Sequence, residues 1–261
     1  MTLNEKVTYH LCSTQVENRE LSPLPSESCV KMKALIIDGS QDSIEMVSLC
    51  FKLKWPGIDI VTTTSGQQGL ELARSAAPDI VILDVDLADM DGFEVLREIR
   101  TFSEVAVIVL TTRDKELDML KCFELGADDY ITKPFSQVAL LARAKAVLKR
   151  SQALASEEVS HPFESGDLHV DYATRRVTVK GKVMQLTPTE YSMLYQLTKN
   201  CGRVMTHSEL LRKAQGPEYV EATENLKVYI QRLRRKIEDN PSRPKYILTE
   251  RGVGYIFARQ K

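Results

Sequence analysis

Residues 79–84 read Asp79-Ile-Val-Ile-Leu-Asp84, an apolar run with a carboxylate at each end. A short continuous apolar run is typical of a parallel strand that is buried on both faces. Stretches with helical spacing of apolar residues separate it from four similar runs, at 34–37, 58–63, 106–110 and 130–132. Five strands that alternate with five helices predict an α/β domain with a doubly wound, five-stranded parallel sheet.

The pattern changes after residue 162. Short alternating strands are followed by two helix starts with threonine caps, Thr187-Pro-Thr-Glu190 and Thr206-His-Ser-Glu209. A third helix is predicted over Ala222–Asp239, and a final hairpin is predicted to turn at Arg251–Gly254. Strands, three helices and a terminal hairpin predict an α+β winged helix-turn-helix domain.

These patterns divide the chain into four segments. Residues 1–30 lack sustained periodicity and are predicted to be a flexible N-terminal extension. The α/β domain is expected at 31–150, a linker at 151–162 and the winged-helix domain at 163–261.

The charge of the chain follows the same division. The formal net charge of −1 hides 15 basic and 19 acidic residues in 31–150, against 18 basic and 11 acidic residues in 161–261. This combination of an acidic N-terminal part and a basic C-terminal part favours nucleic acid binding by the C-terminal domain, although a solvated basic surface is the alternative.

Composition excludes several other classes of protein. No apolar run reaches the ~18 residues that a membrane span needs, and no signal peptide opens the chain. The 5 cysteines are scattered and form no CxxC pair, which argues against a disulfide framework or a zinc site. We expect a cytoplasmic protein with no membrane partner.

Four polar side chains follow four of the predicted strands: Asp38, Asp84, Thr111 and Lys133. The carboxyl ends of the strands form one rim in such a sheet, and ligands bind there. Two carboxylates suit Mg²⁺, which would screen the repulsion between Asp84 and an incoming phosphate. Asp84 would then act as a carboxylate nucleophile, and Lys133 would pair with the phosphoryl oxygens.

Residues 33–150 resemble the receiver domain of bacterial two-component response regulators. The resemblance is carried by Leu35-Ile-Ile-Asp38, Asp79–Asp84, Asp89-Met-Asp-Gly92, Leu110-Thr111 and Gly126-Ala-Asp-Asp-Tyr-Ile-Thr-Lys-Pro-Phe135. It implies that a sensor histidine kinase is a partner and that Asp84 is the phosphorylated residue. It also implies the remaining roles: Mg²⁺ held by Asp38, Asp84 and the backbone carbonyl of Asp86, phosphoryl contacts from Thr111 and Lys133, and an aromatic switch at Tyr130.

One position departs from the family pattern. The family usually has two adjacent acids after the first strand, whereas here Asp38 is followed by Gly39. Glycine supplies no ligand, so we expect weaker Mg²⁺ binding and weaker phosphorylation. The alternative hypothesis is an atypical regulator that dimerises and binds DNA without phosphorylation.

The same resemblance implies a homodimer formed through the fourth helix, fifth strand and fifth helix. Its charge pairs correspond here to Asp129 with Arg143, Glu124 with Lys145, and Asp128 with Arg150. A further pair corresponds to the uncharged Met119 and Ala139, which would make an apolar contact.

The third helix of the C-terminal domain has two faces. Leu226, Ile230, Leu233 and Ile237 define its buried side. The opposite side carries side chains that suit base edges in a major groove, namely Asn225, Val228, Gln231, Arg232 and Arg235. Their alternative role is that of a solvated, cationic helix end.

Residues 163–260 resemble the winged-helix DNA-binding domain of the OmpR/PhoB type. The motifs are Leu186-Thr-Pro-Thr-Glu-Tyr191, Val228-Tyr-Ile-Gln-Arg-Leu-Arg-Arg-Lys236 and Thr249-Glu-Arg-Gly-Val-Gly-Tyr255. The resemblance implies base contacts by Asn225 and Arg232, a minor-groove contact by Arg251, and phosphate contacts by Tyr229, Arg234, Thr249 and Tyr255. It also implies promoter DNA with direct repeats as the target, and RNA polymerase as a partner of the loop at 214–220.

The sequence therefore predicts a DNA-binding transcriptional regulator that is not an enzyme. Asp84-Val-Asp86 also mimics the Asp-x-Asp motif of aspartyl-phosphate phosphatases. That motif normally lies on the first strand and here follows the third, so this alternative is remote. A protein-interaction switch that no longer binds DNA is a third hypothesis.

Overall fold

The computed structural model describes residues 32–152 and 161–260. The predicted N-terminal extension at 1–30 and most of the predicted linker at 151–162 lie outside the described residues. Among the described residues, no helix is both long and apolar enough to cross a membrane.

The first half of the structure, residues 32–152, is the predicted α/β unit. Its parallel sheet has the strand order β2-β1-β3-β4-β5, with β1 to β5 at Lys33–Ile37, Asp59–Thr63, Ile80–Leu83, Ala106–Thr111 and Asp129–Thr132. The alternating helices α1 to α5 lie at Gln41–Lys54, Gly66–Ser75, Gly92–Phe102, Glu116–Leu125 and Gln137–Gln152. All four residues of β3 are buried, as its uninterrupted apolar sequence predicts.

The second half, residues 161–260, is the predicted winged-helix unit. A four-stranded antiparallel sheet contains β6 to β9, at Phe163–Ser165, Leu168–Asp171, Arg176–Val179 and Lys182–Met184. A three-stranded sheet contains β10 to β12, at Val204–Thr206, Ile247–Glu250 and Gly254–Phe257. The helices α6 to α8 lie at Pro188–Lys199, His207–Ala214 and Thr223–Ile237, and a short 3-10 helix lies at Pro217–Tyr219.

The helix starts agree with the sequence patterns. The Thr187 hydroxyl accepts a hydrogen bond from the backbone N–H of Glu190, whose carboxylate in turn accepts from the Thr187 N–H. This reciprocal capping box fixes the start of α6. The Thr206 hydroxyl likewise accepts from the Glu209 N–H at the start of α7.

Some short strands differ from the sequence patterns. The strands β6 and β10 do not stand out in the sequence, because three residues are too few to show an alternation. The alternating pattern of residues 183–186 predicts a strand there, whereas the strand occupies Lys182–Met184 and the residues after it precede the Thr187 cap.

The two halves pack against each other. A single cluster of buried apolar side chains contains Leu35 and Phe123 from the first half together with Leu226 and Tyr229 from the second. The Phe123 and Tyr229 rings lie 5.5 Å apart, between α4 and α8. The third helix of the winged-helix unit is therefore packed on the α/β unit.

Candidate functional sites

Three of the predicted rim residues meet at the carboxyl ends of the strands. The Lys133 ammonium lies 2.7 Å from a carboxylate oxygen of Asp38 and 2.6 Å from one of Asp84. Asp84 and Lys133 border an open cavity of about 660 Å³. Asp84 is only 5% exposed, but it lines this cavity and so has a route to solvent.

Asp38 is held by protein donors on both carboxylate oxygens. One oxygen accepts from the backbone N–H of Ser40, and the other accepts from the Ser43 hydroxyl at 2.6 Å. Only three residues lie between the end of β1 at Ile37 and the start of α1 at Gln41, and the last of them, Ser40, is the N-cap of α1. These contacts orient the Asp38 carboxylate toward Lys133 and Asp84.

The acidic site fits a magnesium site that has one carboxylate ligand fewer than usual. One cation, the Lys133 ammonium, already bridges Asp38 and Asp84, so the two carboxylates share a single positive charge. A Cβ atom placed on Gly39 would lie 3.0 Å from the Asp86 carbonyl oxygen, so this oxygen lies close to the residue that follows Asp38. Within 32–152 and 161–260, no three His, Cys, Asp or Glu side chains are grouped to hold a metal.

Asp86 connects the acidic site to the end of β4 and the residues that follow it. Its carboxylate accepts hydrogen bonds from the hydroxyls of Thr111 and Thr112 and from the Arg113 guanidinium. Burial opposes its ionisation, but the bonds from Arg113 and Thr112 outweigh burial and lower the pKa of the carboxyl. The Tyr130 hydroxyl donates to the Arg113 carbonyl at 2.5 Å, and burial raises the pKa of Tyr130 to about 12.

The helix predicted to read DNA is partly covered by the first half. Arg232 is only 8% exposed. Its guanidinium donates to a Glu190 carboxylate oxygen at 2.6 Å and to the Phe123 carbonyl of α4 at 2.8 Å. One candidate base reader is therefore turned into the interface between the halves.

Glu190 is the hub of a buried ionic network. It pairs with Arg232 and also with Lys236, which reaches Glu104 of the first half at 3.3 Å. Burial raises the pKa of Glu190, but Arg232 and Lys236 outweigh burial and hold this pKa below its ordinary value. Removal of either partner would leave a buried charge, which is costly.

The remaining predicted DNA contacts have different degrees of exposure. Asn225, Val228 and Gln231 are half-buried, and Arg235, Thr249 and Arg251 are exposed. Tyr229 and Tyr255 are buried, and the Tyr229 hydroxyl donates to the Asp128 carbonyl at 3.1 Å. Arg234 donates to the Ile247 carbonyl and to the Thr249 hydroxyl, both on β11.

Several predicted dimer residues make contacts inside the chain. Arg143 pairs with Asp129 at 2.6 Å, and the other oxygen of Asp129 accepts from the Tyr219 hydroxyl of the second half. Asp128 accepts from the Thr189 N–H, and Arg150 donates to the Thr189 hydroxyl at 2.6 Å. Other members of the predicted face are exposed or half-buried: Glu124, Ala139, Lys145 and Met119.

Sequence patterns do not reveal these partners. Thr189 and Glu190 are predicted only as parts of a helix cap, and Tyr219 only as a member of the loop at 214–220. A tyrosine in a short loop carries no periodic signal. Their role arises from the contact between distant segments, such as the 90 residues that separate Tyr219 from Asp129.

Comparisons with known proteins give the family. Residues 34–145 match the response regulator receiver domain, and residues 181–257 match the C-terminal domain of transcriptional regulatory proteins. The transcriptional regulatory protein KdpE of Mycobacterium tuberculosis is 39% identical over 224 residues, which cover 85% of this chain and 97% of KdpE.

The chain belongs to the OmpR/PhoB-type response regulators. It is a DNA-binding two-component response regulator, of a family whose members act as transcription factors and are not normally enzymes. Its first half is the receiver domain, and receiver domains typically bind Mg²⁺ at their acidic site.

Solved structures include relatives of this response regulator. A mutant of RitR shares the fold and is 24% identical, with a TM-score of 0.71 over 88% of this chain and 100% of that chain. DrrB of Thermotoga maritima, an OmpR/PhoB homologue, is 34% identical over 87% of this chain and 99% of that chain, with a TM-score of 0.46.

Proposed function

We propose that this protein is a transcriptional regulator whose receiver domain holds the DNA-reading helix closed until Asp84 is phosphorylated. The burial of Arg232 between Glu190 and the Phe123 carbonyl carries this proposal. A guanidinium with those partners is turned away from a base edge. Specific DNA binding would require Arg232 to leave the receiver, at the cost of a hydrogen bond to a backbone carbonyl.

The same closure would prevent dimerisation. Asp128, Asp129 and Arg150, which we assign to the dimer face, bond Thr189 and Tyr219 of the DNA-binding domain. A second receiver cannot occupy this surface while the DNA-binding domain covers it. Opening would therefore release the dimer face and the reading helix together, so that two domains would bind repeated DNA sites as a homodimer.

A chain of contacts connects the acidic site to the closed interface. Asp86 bonds Arg113, and the Arg113 carbonyl accepts from Tyr130. Tyr130 is next to Asp129 on β5, and Asp129 accepts from Tyr219. A change at the acidic site that moves Arg113 would thus shift the strand residue on which Tyr219 is held.

Asp84 is the proposed phosphoacceptor. Its carboxylate has Lys133 beside it, and Lys133 would pair with phosphoryl oxygens after it leaves Asp38. Thr111, buried at the end of β4, is the proposed hydroxyl contact. Asp38, Asp84 and the Asp86 carbonyl would hold Mg²⁺, which when bound screens the repulsion between carboxylate and phosphate.

A second candidate is control without phosphorylation. Gly39 supports it, because the position that usually carries a second acid offers no ligand to a metal. In that case another signal would open the same interface, and the acidic site would serve to position β5.

The proposed partners follow from this scheme. A sensor kinase would supply the phosphoryl group, and promoter DNA with direct repeats would be the target. The 214–220 loop, which contains Tyr219, would become free to contact RNA polymerase only after opening.

The test compares the full chain with Asp84→Ala. Each protein is incubated with Mg²⁺ and a small phosphodonor, and the covalent adduct is measured by intact mass. DNA affinity is measured by fluorescence anisotropy. We expect an Asp84-dependent adduct and tighter DNA binding. No adduct with intact DNA binding would favour the second candidate, and an adduct without change in DNA affinity would contradict the proposed closure.

A further inference from the structure

A cationic cleft lies between the receiver and the DNA-binding domain, away from the acidic site. It has a volume of about 480 Å³ and is bordered by α5, α6, α7 and the loop that follows α7. Its lining contains five basic side chains and one acidic side chain, Glu218. This balance is unlike that of the acidic receiver as a whole, so the cleft is a local concentration of positive charge.

Three residues that line the cleft have buried polar atoms with no hydrogen-bond partner among the described residues. Arg150 is 7% exposed, and among the described residues its Nε and Nη2 atoms have no hydrogen-bond partner. The Tyr191 hydroxyl and the Gln215 side-chain oxygen, also buried, lack one within the same residues. Buried polar groups in folded proteins are nearly always hydrogen-bonded, so the Arg150 and Tyr191 donors need an acceptor such as a ligand oxygen or a bound water, whereas the Gln215 oxygen needs a donor.

The rim supplies charge that a ligand can reach from solvent. Lys145 and Lys149 are exposed on α5, and Arg212 is exposed near the end of α7. The planar guanidinium of Arg150 presents paired donors, which match the geometry of phosphate oxygens. Because Arg150 is only 7% exposed, a ligand must be small to reach it from the cleft.

We propose that this cleft binds a small phosphate-containing anion, with Lys149 and Arg212 at its rim and the buried Arg150 in its lining. Such a ligand would contact both domains and would bind the closed arrangement in preference to an open one. The site depends on this arrangement of the domains, which the unphosphorylated chain already has, so its binding can be measured without phosphorylation of Asp84.

The experiment measures binding of inorganic pyrophosphate to the full chain by isothermal titration calorimetry at constant ionic strength. The rim variant is Lys149→Glu with Arg212→Glu. The control variant is Lys52→Glu with Lys54→Glu, which makes the same charge change at exposed positions on α1. We expect the rim variant to weaken binding by at least about tenfold, and the control to stay within about twofold.

A second variant tests Arg150. Arg150→Lys keeps the positive charge but removes the paired donors, so we expect this variant to bind pyrophosphate more weakly than the wild-type chain. A cooperative thermal unfolding transition of the variant checks that it is folded. Absence of measurable binding to the wild-type chain would overturn the proposal, as would equal weakening in the rim and control variants. Neither result depends on Asp84, so neither of them tests the proposed function.

Discussion

The contact between Tyr219 and Asp129 gives a direct test of the closed arrangement. Tyr219 is 6% exposed, and its hydroxyl donates to a carboxylate that is itself buried. Tyr219→Phe removes this hydrogen bond and keeps the ring, while Asp129 retains its ion pair with Arg143. The substitution should therefore weaken closure without unfolding either domain.

The expected size of the effect follows from the type of bond. A hydrogen bond to a charged group stabilises by about 1.5–3 kcal/mol, and about 1.4 kcal/mol corresponds to about tenfold in an equilibrium constant. The open fraction should thus rise by about ten- to hundredfold. Apparent DNA affinity rises with the open fraction until opening is complete, because only the open form is competent to bind.

The assay is fluorescence anisotropy with a labelled duplex at fixed salt concentration. The matched control is Tyr172→Phe, since the buried Tyr172 hydroxyl donates to Thr198 inside the DNA-binding domain. We expect tighter DNA binding for Tyr219→Phe and unchanged binding for Tyr172→Phe. If both variants fold and both bind DNA with wild-type affinity, the interface does not restrain DNA binding.

Three further predictions concern the metal site, the ionic hub and a helix cap. Gly39→Asp should strengthen Mg²⁺ binding measured by calorimetry, after the Asp86 carbonyl has moved by a few tenths of an ångström to admit the Cβ atom; unchanged affinity would contradict the role given to Gly39. Glu190→Gln should cost about 3–5 kcal/mol in urea unfolding at pH 7, since it leaves Arg232 buried without its full countercharge. The folded pKa of Glu190 lies below the ordinary 4.5, so its contribution is present above that pH and is lost as the pH falls through the lowered pKa. Burial raises the pKa of Glu104, so this residue has the opposite effect on stability as the pH falls. The free energies of unfolding of the wild-type chain and of Glu190→Gln are therefore compared at each pH. Parallel pH profiles for the two proteins would contradict the contribution given to Glu190. Thr187→Ala should lower the free energy of unfolding by about 1 kcal/mol through loss of the cap on α6, and chemical denaturation of the two proteins measures it.

Local pattern is sufficient for much of the fold and for part of the acidic site. Apolar runs such as 80–83 predict buried parallel strands because both faces of such a strand must be apolar. Asp38, Asp84 and Lys133 can be grouped from the order of the strands, since parallel strands end at one edge of the sheet. The absence of a second acid, at Gly39, is likewise a property of the sequence alone.

The contacts between the domains cannot be predicted in this way. Arg232 and Lys236 have the same exposed-helix pattern whether they meet DNA, water or Glu190. Asp129 and Arg143 can pair within one chain or across a dimer, and the sequence does not distinguish these arrangements. Thr189 and Tyr219 form their hydrogen bonds to Arg150 and Asp129 only when the second domain is packed on the first.

Short-range periodicity and the positions of strand ends are enough to predict the two domains and the side chains at the acidic rim, and the quoted motifs are enough to indicate the family. The bonds from Arg232 to the Phe123 carbonyl and from Tyr219 to Asp129 become apparent only when the two domains are packed together. A polar side chain takes whichever partner the packing brings within hydrogen-bond distance, and packing between domains is not encoded in any local spacing.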